Sequence, residues 1–389
     1  MAEAKSALIT GITGQDGSYL TELLLEKGYA VHGIVRRTSN LVRSRIEHLR
    51  ANHSIYGHRL FLYYGDLSDG TTLRRIFAQV RPAEVYHLAG QSHVGLSFEI
   101  PESTSEEVAM ATLRLLEICR DQPQPVRFYH ASTSEIFGRA AESPQTEETP
   151  LRPVSPYGCA KAFATQLAQV YRQAYGLFVC NGILYNHESP RRGENFVTRK
   201  IARAAARISR GLEQELVLGN ISARRDWGHA QDYVVAMWLM LQAPAPDDYI
   251  VATGETHSVE DFVNAAFEVV HLPAQKYLKR DAAFERPTEP GKLVGSSEKI
   301  RRILDWGRGK HSQTWSVKWS KRSCLRSLSG RAERQLALYF GVLVSPREKN
   351  RGHHQAIQNG SGEGRARRDW RGRHDGERGE RLRAPEGSH

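Results

Sequence analysis

The sequence predicts an α/β fold: a doubly wound parallel sheet, with a smaller α/β part formed mainly by the C-terminal half. Three observations predict it. Short apolar runs alternate with amphipathic stretches of helical period, as in "SALIT", "YLTELLLEKG" and "AVHGIV". A glycine-rich turn joins the first of these runs to the first helix. The chain has 389 residues, of which 40% are hydrophobic, enough for a large core. Alternating strands and helices imply parallel strands covered on both faces. Ligands then collect beyond the carboxyl ends of the strands. We divide the chain into a nucleotide-binding part over 1–180, with segments near 220–255 returning to it, a second ligand-binding part over 181–306, and a tail over 307–389.

The first element is "SALITGITGQDGSYLTELLLEKGYAVHGIVRR": strand, turn, helix, strand. Gly11, Gly14 and Gly17 form a G-x-x-G-x-x-G turn between an apolar strand and an amphipathic helix. Glycine lets backbone N–H groups approach a pyrophosphate, which then sits at a helix N-terminus. The second strand ends in Arg36 and Arg37, with no acid to grip a ribose hydroxyl. A guanidinium there suits a 2′-phosphate, which favours NADP over NAD.

"RLFLYYGDLSD" is a third strand ending at Asp66 and Leu67, and Asp66 can accept from an adenine amino group. "AEVYHLAGQSHVG" is a fourth strand followed by Leu88, Ala89, Gly90, Gln91 and Ser92, small enough for a cofactor to pass close to the backbone. "VRFYHASTSEIFG" is a fifth strand ending in Ser132-Thr133-Ser134-Glu135. Thr133 and Glu135 therefore lie at a strand's carboxyl end. A helix cap is the alternative reading of that polar run, but "IFGRAAESPQTEETP" does not read as a helix.

"PVSPYGCAKAFATQLAQVYRQAYG" predicts a helix from Pro156, tolerated in a first turn, to a stop at Gly176. It places Tyr157 and Lys161 one turn apart on one face. A free phenol has a pKa of about 10 and is a poor base. A neighbouring ammonium favours the phenolate, so the pair is a candidate proton-transfer device.

Beyond it come a sixth strand and a polar loop with Asn186, His187, Glu188 and Arg192. A helix with Lys200, the segment "ARRDWGHAQDY" with Arg225, and a strongly apolar helix follow. Ser258 is an expected N-cap, and Arg286 and Glu289 lie in a Pro-rich stretch. Arg192, Lys200, Arg225 and Arg286 can converge on a diphosphate, whose oxygens match guanidinium forks.

The net charge of +11 does not describe the body of the protein: residues 307–389 carry 19 Lys+Arg against 8 Asp+Glu, and the first 306 residues hold 35 of each. Nucleic-acid binding is thus expected at most non-specifically, through the tail. No run of 18 apolar residues marks a membrane span. The N-terminal apolar stretch is too short for a signal peptide. Cys119, Cys159, Cys180 and Cys324 have no metal-ligand spacing and read as free thiols of a cytoplasmic protein, with no metal.

With these residues in view, positions 5–306 resemble the extended short-chain dehydrogenase/reductases, and among them the GDP-mannose 4,6-dehydratase family. The resemblance is carried by "GITGQDGSYL", "HLAGQSHVG", "TSEIFG", "SPYGCAKAFA", "NHESPRRGENFVTRKI", "RRDWGHAQDYVVAMWLMLQ" and "ATGETHSVEDF". Sister families acting on nucleotide sugars share the Gly turn and Tyr-x-x-x-Lys but not the "NHESPRRGENFVTRKI" block.

The resemblance implies a Rossmann-type fold and a redox-neutral dehydration of GDP-mannose with tightly held NADP. It implies Thr133, Glu135, Tyr157 and Lys161 as catalytic. For the cofactor it implies Gly11, Ile12, Thr13, Gly14, Gln15, Asp16 and Gly17, the Arg36-Arg37-Thr38-Ser39 loop, Asp66, Leu67, Leu88 to Ser92, Lys161, His187 and Arg192. For the GDP-sugar it implies Ser92, Asn186, Lys200, Arg225 and Arg286. It also implies a homodimer or homotetramer. Two readings stay open beside it: a sister epimerase or reductase, and a non-catalytic NADP-binding protein with an RNA-binding tail.

Two features depart from the family pattern. Ser103 stands where relatives carry a tyrosine near the cofactor. After Trp306 the family continues into a helix of the type "LVREMVEAD", and this chain does not. With suitable third bases, shifting the frame across Thr314–Lys321 and the start of the Arg322 codon yields Leu-Val-Arg-Glu-Met-Val-Glu-Ala. We therefore expect the tail to be out of frame, unable to build a core and largely disordered.

Overall fold

The structure, a computed structural model, describes residues 4–37 and 44–307. Seven strands form one parallel sheet: β1 (Ser6–Thr10), β2 (Ala30–Val35), β3 (Leu60–Tyr64), β4 (Glu84–His87), β5 (Arg127–Thr133), β6 (Phe178–Leu184) and, returning from later in the chain, β10 (Asp248–Val251). Their order is β10-β6-β5-β4-β1-β2-β3. Strand order reverses between β1 and β4, which opens the crevice where such folds bind ligands. Three short strands, β7 (Asn186–Glu188), β9 (Arg224–His229) and β11 (Thr256–Ser258), make a second sheet, and β8 (Leu216–Leu218) pairs with β12 (Leu278–Arg280).

The helices are α1 (Gln15–Glu26), α2 (Glu47–Arg50), α3 (Gly70–Val80), α4 (Pro101–Ser105), α5 (Ala111–Arg120), α6 (Pro156–Tyr175), α7 (Val197–Ile208), α8 (Ala230–Gln242), α9 (Val259–Val269), α10 (Ala274–Tyr277) and α11 (Glu298–Leu304). One face of the main sheet is covered by α1 and α8, through Leu20, Leu24, Met237 and Met240. The other is covered by α3, α5 and α6, through Phe77, Leu115, Leu116 and Ala168. Each large apolar side chain so buried contributes roughly 1.5–3 kcal/mol. A separate core joins α7 to α9 through Ile201, Ala205, Phe262 and Phe267. The Rossmann-type sheet wound on both faces is thus present, beside a smaller α/β part.

α6 forms where the sequence predicts it. Ser155 Oγ accepts from the Gly158 amide at 3.0 Å, Pro156 occupies the first turn, and Gly176 ends the helix at φ +66°. Ser258 caps α9 as expected, in a reciprocal box with Asp261. Three features differ from expectation. β7 runs through what reads as a polar loop, and β9 through the charged "RRDWGH". A single 3₁₀ turn, Ser134–Ile136, does follow Thr133, whose Oγ1 accepts from the Glu135 amide at 3.3 Å. The cap reading is therefore correct for one turn. Thr38, Ser39, Cys324 and the expected behaviour of the tail lie outside the described residues.

Candidate active site

The carboxyl ends of the strands open into a cleft of about 1100 Å³. Its floor begins at the Gly turn. Gly11 has φ +75°, and a Cβ there would sit 2.9 Å from the Ala89 amide. A Cβ on Gly17 would overlap the Gly11 carbonyl. Gly14 caps α1 without a side chain, so the helix N-terminus is bare backbone, as a phosphate requires. Thr10 Oγ1 accepts from the Leu88 and Ala89 amides at 3.1 and 3.2 Å and pairs with His87 Nδ1 at 2.9 Å. This fixes the Leu88–Gly90 turn against the Gly turn. The cradle fits a dinucleotide.

An acidic residue sits at the first turn of α1, within that cradle. Asp16 Oδ2 lies 2.8 Å from His187 Nε2, and His187 Nδ1 lies 2.8 Å from the Tyr185 carbonyl. Burial opposes both charges, but their mutual attraction wins: the His187 pKa is raised and the Asp16 pKa lowered. At the far side of the cradle, Ser68 N–H and hydroxyl hold the Asp66 carboxyl low. Arg36 is exposed beside Glu107, 3.5 Å away.

Along the cleft α6 presents Tyr157 and Lys161. The Tyr157 amide donates to Ser97 Oγ at 3.2 Å. Gly158 lets α6 come close to the Glu135 carbonyl, which a Cβ would approach to 2.9 Å. Thr133 lies near the Tyr157 phenol and favours its ionised form. Lys161 Nζ donates to the Ala131 carbonyl at 2.7 Å and lies 6.0 Å from the Tyr157 ring centroid. The expected lowering of the Tyr157 pKa is not found. Burial, and then the Glu135 charge, push it up, while the lysine is directed to the Ala131 carbonyl. Burial also holds Lys161 down to about 8.

Glu135 is 9% exposed, with Oε1 3.3 Å from Arg286 NH1 and Oε2 buried with no hydrogen-bond partner among the described residues. Arg225 meets Glu289 at 2.9 Å. Lys200 Nζ stands 4.2 Å from the Phe284 ring centroid, and burial lowers its pKa. Arg192 stacks on Phe196 at 3.6 Å and meets Glu188 at 3.2 Å.

The cleft is lined by every described candidate except two. Ile12 turns into the core, 0% exposed, packed under Gly33. Arg37 is exposed and does not line the cleft. Asn186 and Ser92 both line it, whereas the departing Ser103 is exposed on α4. Residues that the sequence reading did not single out also line the cleft, Arg45 and His93 among them. Arg45 ties the Arg191 and Thr13 carbonyls together at 2.7 and 3.2 Å. His93 accepts from the Leu96 amide at 3.0 Å and packs edge-on to Phe196. Among the described residues no three metal-ligating groups cluster, and no helix is long and apolar enough to cross a membrane.

The chain is similar to known proteins in fold and in sequence. The UDP-glucose 4-epimerase of Thermus thermophilus, solved with NAD, superposes with a TM-score of 0.66 at 28% identity, over 79% of this chain and 96% of that one. The dTDP-glucose 4,6-dehydratase DesIV of Streptomyces venezuelae shares the fold, with a TM-score of 0.70 at 23% identity, over 82% and 97%. The GDP-mannose 4,6 dehydratase 1 of Arabidopsis thaliana is 53% identical over 307 residues, 78% of this chain and 85% of that protein. The human GDP-mannose 4,6 dehydratase is 48% identical over 322 residues, 77% and 86%. The family model described as GDP-mannose 4,6 dehydratase matches residues 8–313. Fold, cleft and sequence converge, and the chain belongs to the GDP-mannose 4,6-dehydratase family.

Proposed function

We propose that this chain is an NADP-dependent GDP-mannose 4,6-dehydratase, a hydro-lyase that converts GDP-α-D-mannose to GDP-4-dehydro-6-deoxy-D-mannose and water. The observation that carries the reading is that Tyr157 and Glu135 line one cleft together with Thr133, whose hydroxyl accepts from the Glu135 amide. A base for an oxygen and a base for a carbon then face one sugar.

In this reading Tyr157, assisted by Lys161, takes the proton of the sugar's 4-hydroxyl as C4 becomes a ketone. The ketone acidifies the hydrogen on C5. Glu135 removes it, and the C6 hydroxyl leaves as water with a proton delivered from Glu135 and help from Thr133. One carboxyl can act first as base and then as acid. When bound, NADP supplies the acceptor for the C4 hydride and returns that hydride to C6. Gly11, Thr13, Gly14, Gln15, Asp16, Gly17, Arg36, Asp66, Leu67, the Leu88–Ser92 turn, Lys161, His187 and Arg192 would hold it. Arg36 supports NADP over NAD, since an exposed guanidinium at the end of β2 suits a 2′-phosphate.

For the substrate, Lys200, Arg225 and Arg286 supply cations for the diphosphate, with Asn186 and Ser92 as polar contacts. Arg225 and Arg286 are paired with Glu289 and Glu135, so substrate must exchange those partners. We include a homodimer or homotetramer in the reading: Phe163 and Val170 are 45% and 50% exposed on α6, an apolar face suited to a second copy. Incubation with GDP-mannose and NADP tests the function. A product with the alkaline absorbance of a ketosugar supports it. Conversion to an epimer without water loss would favour the sister-enzyme reading, since 4-epimerisation needs no base at C5.

A further inference from the structure

A carboxylate in the first turn of α1 is the wrong charge for a pyrophosphate cradle, unless something cancels it. Asp16 is that carboxylate, and His187 is its partner at 2.8 Å. Both His187 nitrogens face acceptors, Asp16 on one side and the Tyr185 carbonyl at 2.8 Å on the other. Two acceptors require two N–H donors, which only the imidazolium has. The backbone locks the group further, because Gln15 Nε2 donates to the His187 carbonyl at 3.1 Å.

Beneath His187 lies an aromatic ring with no part in the proposed chemistry. Tyr233 of α8 stacks on the imidazole, with centroids 4.5 Å apart and planes at 26°. It is 1% exposed. The site for this ring is built by the sheet. His187 pairs with Gly228 across β7 and β9, and a Cβ on Gly228 would overlap the Tyr233 ring. Trp306 packs edge-on against Tyr233, centroids 6.3 Å apart, and donates its Nε1–H to the Asp232 carbonyl at 3.0 Å. A cation on the face of a tyrosine is stabilised by the ring's quadrupole, most when desolvated.

We propose that Tyr233 is a positioning residue: its ring, admitted by Gly228 and backed by Trp306, holds His187 as an imidazolium against Asp16. The pair then presents no net charge to the phosphate-binding end of α1. Among the described residues Arg192 also acts on His187, and it disfavours the imidazolium. The phenols of Tyr19, Tyr129 and Tyr157, which also feel Asp16, stay neutral because burial raises each of their pKa values. When His187 loses its proton, the uncancelled charge of Asp16 faces the cofactor's phosphates. Dinucleotide affinity must therefore fall as pH rises through the His187 pKa.

The charge-cancelling role rests on reading the Gly11–Gly17 turn as a dinucleotide site, whereas the protonation state of His187 does not. The test is ¹⁵N-histidine NMR of the full chain without nucleotide, with His187 assigned by His187→Asn. In the wild type, His187 stays doubly protonated above the ordinary histidine pKa of about 6.5. Tyr233→Leu lowers the pH of proton loss by about one pH unit, and Tyr233→Phe restores it. If Tyr233→Leu does not fold, Gly228→Ala displaces the same ring and should act alike. NADP titration is the second readout. At a pH midway between the two proton-loss points, Tyr233→Leu should bind roughly threefold more weakly than wild type, and equally at acid pH. A neutral His187 in the wild type, or the same titration in all variants, overturns the proposal. Normal NMR behaviour with no NADP binding would instead overturn the dinucleotide reading and the charge-cancelling role with it.

Discussion

Arg286 and Glu135 come together across the cleft from positions 151 residues apart, NH1 to Oε1 at 3.3 Å. The other carboxylate oxygen, Oε2, is buried with no hydrogen-bond partner among the described residues. Leaving a buried acceptor unmatched is costly. Such a cost is tolerated where a group must be available to a substrate, and Oε2 is the atom from which the proposed C5 base works.

Glu135→Gln keeps the size and hydrogen-bonding shape of the side chain but removes the base. We expect kcat with GDP-mannose to fall by about 10²–10⁴-fold, the usual worth of a positioned acid–base group. Oxidation at C4 should survive, visible as reduced nicotinamide absorbance in a single turnover. Loss of both signals together would remove Glu135 from the elimination step.

Tyr157→Phe removes only the phenol oxygen. Turnover should fall by about 10²–10⁴-fold, and the reduced nicotinamide signal should vanish with it, while NADP binding by titration is retained. A variant that still reduces the cofactor would assign the C4 proton to another group.

Lys161 gives a pH dependence of stability with a definite sign. Its folded pKa is about 8 against an ordinary value of 10.5, because burial disfavours its charge. Between these values the unfolded chain binds more protons, so stability rises with pH. Below pH 8 the burial penalty is fully present. Lys161→Met should therefore gain most in melting temperature, relative to wild type, at neutral pH, with the gap narrowing toward pH 10.5. A gap independent of pH would mean that Lys161 is not buried as a cation.

Gly17→Ala tests the cradle. The added Cβ overlaps the Gly11 carbonyl, and forcing a methyl into close-packed backbone costs about 1–3 kcal/mol. A lower melting temperature and at least tenfold weaker NADP binding are expected. Unchanged binding would place the dinucleotide elsewhere.

Arg36→Ala separates the two cofactors. NADP affinity should drop at least tenfold, since a charge-assisted contact to a phosphate is lost, with NAD affinity unchanged. Equal losses for both would assign Arg36 to the shared part of the dinucleotide.

Where the sequence was legible, local chemistry matched the fold. Pro156, Ser155 and Gly176 bracket α6 by helix-end physics alone, and so place Tyr157 and Lys161 on one face. The Gly turn was legible because no other residue tolerates both its φ and its close contacts. β7 and β9 were not, because strands of three and six residues bearing Asn, Glu and Arg show no apolar alternation. Arg45 and His93 act through contacts to backbone that leave no periodic trace. The direction of the Tyr157 shift was not legible either, because spacing on a helix says nothing about where Nζ is directed. Tyr233 was hidden in a strongly apolar helix, where an aromatic residue reads as core.

The most direct test follows one hydrogen. GDP-mannose carrying deuterium at C4 is incubated with the enzyme and NADP, and the product is examined by NMR. The account predicts a 4-dehydro-6-deoxy sugar with the deuterium on C6, carried there as hydride within one active site. Deuterium lost to solvent, or retained at C4 of an epimerised hexose, would contradict it.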